Sequence, residues 1–94
     1  MPPRKIVWNE KAIQDVQELA EARDDKLAVL SCIESNVLAV ATNPEITRLV
    51  PGPLRERIFR FQCMDGNTEL TYLAVFVYTP NEGIALLRVE RQQF

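Results

Sequence analysis

The sequence predicts an α+β domain in which a helical hairpin packs on a largely antiparallel four-stranded sheet, in the order β-α-α-β-β-β. Three observations predict it. Apolar residues recur at helical spacing through residues 9–42, the spacing switches to alternation after the proline- and glycine-bearing linker 43–53, and turn signals divide the remainder into three strands. Ninety-four residues with 47% hydrophobic and 26% charged content suffice for one core and not two, so residues 1–94 are read as a single domain.

KIVW, residues 5–8, is a short β-prone run that ends before Asn9, a residue suited to capping a helix. NEKAIQDVQELAEAR then sets Ala12, Ile13, Val16, Leu19 and Ala20 on one stripe with charged residues opposite. Asp24 and Asp25 break that helix and offer a fresh cap. KLAVLSCIESNVLAVAT follows, with Leu27, Leu30, Ile33, Val37, Leu38 and Val40 as a broader apolar face. Asn43 and Pro44 stop the second helix, because the residue before proline is pushed out of helical geometry. Both stripes are read as core packing, with no ligand assigned to them.

In ERIFRFQCM, alternation puts Arg57, Phe59, Phe61 and Cys63 on one side and Ile58, Arg60, Gln62 and Met64 on the other. DGN is a hairpin turn, since these residues tolerate positive φ. LTYLAVFVYT is apolar on both faces, as a central strand should be. PNEG makes the next turn, and IALLRVERQQF begins a last strand with Ala85, Leu87 and Val89 on one side. Helices covering one face leave the other open, where Arg60, Gln62 and Arg88 are expected, with Tyr72 or Tyr78 depending on register.

Composition narrows the chemistry. No apolar run approaches the roughly 20 residues that cross a bilayer, and MPPRKIVWNE holds no hydrophobic signal segment, so the expected location is cytoplasmic with no membrane partner. Cys32 and Cys63 each sit in an apolar run and are expected to be buried free thiols. With no histidine and no CxxC pair, no metal site and no cofactor are expected, and the usual general base is absent. The formal charge of −2 is uneven: residues 9–45 carry a net −5, whereas Arg48, Arg55, Arg57 and Arg60 cluster just beyond them.

That cluster supplies the candidate site. Arg57 and Arg60, supported by Arg88 and Arg91, are the candidate partner- or phosphate-binding groups, because guanidinium forks bind oxyanions bidentately. Their bland alternative is solvated strand charge that discourages edge pairing. Alternation separates Arg57 from Arg60, so Arg60 with Arg88 is the more economical pair. Arg60, Arg88, Tyr72 and Tyr78 are the candidates for any catalytic role, and the tyrosines are otherwise strand aromatics.

KIVWNEKAIQDVQEL, GPLRERIFRFQC and IALLRVERQQF together resemble the RelE/ParE superfamily of bacterial toxins. They are similar, in turn, to its first strand running into its first helix, to its approach to a strand bearing an aromatic-arginine pair (here Phe59 and Arg60), and to its final strand. The resemblance implies the toxin of a type II toxin-antitoxin pair, with a cognate antitoxin as partner. It implies one of two targets: ribosome-bound mRNA, cleaved by RelE-like members, or DNA gyrase, inhibited by ParE-like members. Where the family places a tyrosine-arginine pair, this chain reads Thr71, Tyr72, Leu73 and Ala74, and its end reads Glu90, Arg91, Gln92, Gln93 and Phe94. Phenylalanine cannot transfer a proton, and a pI of about 5.1 does not suit a nuclease that grips phosphates. The expectation is therefore a ParE-like binding toxin. The alternatives are a RelE-like endoribonuclease and a non-toxic relative or homo-oligomer that keeps only an association surface.

Overall fold

A computed structural model describes residues 4–93, and its elements are β1 (Lys5–Trp8), α1 (Glu10–Glu21), α2 (Lys26–Thr42), a 3-10 turn (Pro44–Ile46), β2 (Arg48–Leu49), β3 (Arg57–Asp65), β4 (Thr68–Tyr78) and β5 (Gly83–Gln92). The α+β class is as expected. The sheet is not: it has five strands in the order β1-β5-β4-β3-β2, and β1 runs parallel to β5 while the other pairs are antiparallel. The added strand comes from the linker, where Arg48 pairs with Ile58 and Leu49 with Arg57. Val50 N–H donates to Glu56 O at 2.8 Å and closes the loop between them. Two residues are too few to show alternation, so no period marks this strand.

The helices lie side by side on one face, α1 along β5 and α2 along β3. Ala12 and Val16 of α1 and Val29, Ile33, Val37 and Val40 of α2 meet Phe61, Leu70, Tyr72, Phe76, Ile84 and Leu86 of the sheet. In α2 the expected apolar face is only half used: Ile33, Val37 and Val40 are buried, but Leu27 and Leu38 are 80% and 56% exposed. The helix is apolar nearly all round, so its composition does not say which side turns inward.

Two carboxylates tie the helices to the sheet, and a third caps a helix. Asp25 caps α2, its side chain accepting from Ala28 N–H at 3.3 Å. Asp65, at the end of β3, accepts from the backbone N–H of Asp24 at 3.2 Å and of Asp25 at 2.9 Å, which fixes the interhelical turn against the β3–β4 hairpin. Asp15 of α1 accepts from Val89 N–H at 3.1 Å, satisfying a donor on the edge of β5. Asn9 occupies the cap position of α1 without a side-chain cap bond.

The free-thiol expectation is overturned: Cys32 and Cys63 form a disulfide between α2 and β3. Cys63 is buried, and the course of α2 along β3 brings the two Cα atoms to 5.9 Å across 31 positions. Apolar neighbours at each cysteine carried no sign of that approach.

Candidate functional site: arginines on two faces of the sheet

Alternation along β3 and its register with β4 assign the faces. Phe59, Phe61 and Cys63 sit opposite Ala74, Tyr72 and Leu70 beneath the helices, while Ile58, Arg60 and Gln62 share the helix-free face with Val75, Leu73 and Thr71. The expected division of β3 holds.

In β5 it does not hold, because the ladder slips by one residue. Val75 pairs with Arg88 but Phe76 pairs with Leu86, leaving Leu87 as a bulge. Ala85 consequently lies opposite Val77 on the helix-free face, whereas Val89 lies opposite Ala74 in the core; the two do not share a side as alternation alone implies. The bulge also turns Arg88 away from the face of Leu86 and onto that of Arg60.

Arg60 and Arg88 therefore occupy one face, but they do not act as a pair of free cations. Arg88 Nη1 donates to Glu56 Oε2 at 3.2 Å in an ion pair that is partly shielded from solvent. Arg60 is exposed, and with Arg48, Ile46, Ile58 and Phe59 it lines a shallow depression of about 240 Å³ at the β2–β3 edge. Arg48 was not among the expected site residues and enters only because β2 brings it beside Ile58.

Arg57 stands on the other face, under different constraints. Its Nε donates to Thr47 Oγ1 at 2.7 Å, and Thr47 in turn donates to Pro44 O at 2.6 Å. Its guanidinium lies 5.0 Å from the ring centroid of Tyr78, which carries the Arg4 guanidinium at 4.0 Å. Arg91 pairs with Tyr72 across the β4–β5 ladder and is exposed, on the same side of the strand as Val89.

The two tyrosines part company. Tyr78 is 43% exposed at the end of β4. Tyr72 is fully buried, its ring tilted against that of Phe61 at 5.9 Å, and among the described residues its hydroxyl has no hydrogen-bond partner. Burial pushes the Tyr72 hydroxyl above its ordinary pKa, against the opposing fields of Arg23 and Arg91 and with a smaller push from Asp65. A sealed hydroxyl cannot reach a substrate, which removes Tyr72 from the catalytic candidates. Neither tyrosine lies on the face of Arg60 and Arg88.

Among the described residues no group of three histidine, cysteine, aspartate or glutamate side chains is placed to hold a metal ion, and no helix is long and apolar enough to cross a membrane. The chain matches no family model, curated protein or solved structure.

Proposed function

We propose that the chain is the toxin component of a bacterial type II toxin-antitoxin pair and that it acts in the ParE-like manner, by binding a target such as DNA gyrase rather than by cutting RNA. The observation that carries the choice between these modes is the state of the arginine-tyrosine set. Tyr72 is sealed in the core, Arg88 is held by Glu56, and the free guanidinium of Arg60 has neither tyrosine on its face. Binding needs exposed forks and apolar cover; ribose cleavage needs a proton-transfer group beside them. Arg60 with the helix-free face of Leu73 and Val77 meets the first requirement. The cognate antitoxin is the natural cover for such a face in the absence of the target.

The RelE-like endoribonuclease is the second reading, favoured by the approach of Arg48 to Arg60 around one depression, where two guanidiniums suit a phosphate. The two readings separate on expressing the chain alone in bacteria under tight control and following labelled thymidine and amino-acid incorporation. The ParE-like reading expects DNA synthesis to fall first. Early arrest of protein synthesis selects the nuclease, and growth unaffected by soluble, accumulated protein rejects both.

A further inference from the structure

Arg4, entering β1, and Arg57, entering β3, approach a single ring. Their guanidinium carbons lie 4.0 Å and 5.0 Å from the Tyr78 centroid. Arg57 is held through Nε by Thr47, which leaves both of its terminal nitrogens unused by that bond. Arg4 is held by its backbone N–H, which donates to Ala41 O at 2.8 Å, and by Nη1, which donates to Gly83 O at 3.3 Å.

Among the described residues neither arginine is within ion-pair distance of a carboxylate. The carbonyl end of α2, which Arg4 meets at Ala41, supplies roughly half a negative charge. Two guanidiniums bring two full positive charges. The ring adds a modest cation–π attraction for each cation. The cluster thus retains an excess of positive charge around one ring, the condition for holding an oxyanion.

We infer that Arg4, Tyr78 and Arg57 form a clamp for a carboxylate on an acidic segment of a protein partner, a site that deepens the partner-binding reading above and rests on it. A single carboxylate fits better than a nucleic-acid strand. A polyphosphate chain needs a continued track of cations, yet Arg60 faces the other side of β3 and Arg88 is neutralised by Glu56.

The test is a titration of the isotope-labelled full chain with a capped tetraglutamate peptide, followed through the Arg57 Nε–H and Tyr78 ring resonances, with capped tetraglutamine and inorganic phosphate in parallel. Saturable shifts with tetraglutamate alone are expected. Arg4→Gln should weaken that binding by about tenfold, the loss of one charge-assisted hydrogen bond, while Lys26→Gln, at the exposed start of α2, leaves it unchanged. Because Arg4 is anchored by its backbone, this variant should keep the amide spectrum of the parent, and Tyr78→Leu supplies an independent lesion. The inference is overturned by no saturable shift, by equal shifts with tetraglutamine, or by equal weakening by Lys26→Gln. Saturation by phosphate without response to tetraglutamate also overturns it, in favour of a phosphate ligand. The peptide experiment involves no cell, so a chain that binds tetraglutamate but leaves growth untouched loses the toxin reading and keeps the clamp.

Discussion

Arg88 and Glu56 stand 32 positions apart and meet at 3.2 Å on the helix-free face, where Val75, the ladder partner of Arg88, is only 1% exposed. The pair takes one of the expected binding arginines out of service and leaves Arg60, with Arg48 beside it, exposed on that face. With the Arg88 side chain 39% exposed and that of Glu56 18%, solvent screens much of their attraction. Glu56→Gln should cost less than about 1 kcal/mol, and that small cost should shrink in high salt. Urea unfolding at two salt concentrations reads both effects, and a loss above about 2 kcal/mol that salt does not reduce would contradict the assignment of a screened surface pair.

Tyr72→Phe removes a buried hydroxyl that has no partner among the described residues. Stability should hold or rise by up to about 1 kcal/mol, since an unpaired buried hydroxyl is a cost and not a gain. The pH dependence has a definite sign. Folding raises the Tyr72 pKa above 10.0, so from that pH upward the unfolded chain releases a proton that the folded chain retains, and stability falls as pH rises. The variant lacks this contribution, and its advantage over the parent should widen above pH 10.

Reduction of the Cys32–Cys63 bond releases a loop of 31-residue separation, whose closure is worth about 3–4 kcal/mol in the chain-entropy account. A dithiol reductant should therefore lower the thermal midpoint of the parent. The double variant Cys32→Ser, Cys63→Ala should start at that lower midpoint and be indifferent to the reductant. Equal midpoints for oxidised and reduced parent would show that the link contributes nothing.

Gly83 opens β5 where it passes Lys5 of the parallel strand, and a methyl group there would lie 2.9 Å from Lys5 O and 2.5 Å from Thr79 Oγ1. The threonine can rotate but the backbone carbonyl cannot. Gly83→Ala should cost about 1–3 kcal/mol, and amide exchange should quicken first in β1, whose pairing with β5 begins at this residue. Uniform exchange rates across β1 and β4 would count against that local cause.

Composition and periodicity determined a good deal by themselves. The helical stripe of α1, the break at Asp24 and Asp25, the stop at Pro44 and the two faces of β3 all follow from interactions within a few residues, so they were legible in order along the chain. Gly66, at φ 61° between β3 and β4, marked its turn for the same reason.

Everything that depended on distant residues meeting was left to the tertiary structure. The parallel seating of β1, the two-residue β2, the Cys32–Cys63 bond and the Arg88–Glu56 pair join positions with no local mark of each other. The bulge at Leu87 is the sharpest case, because one extra residue reverses every side chain beyond it, burying Val89 and turning Arg88 outward. Register is decided by the fit of whole surfaces. An arginine's residue type follows from sequence, but its neighbours, and hence its charge in effect, belong to the fold.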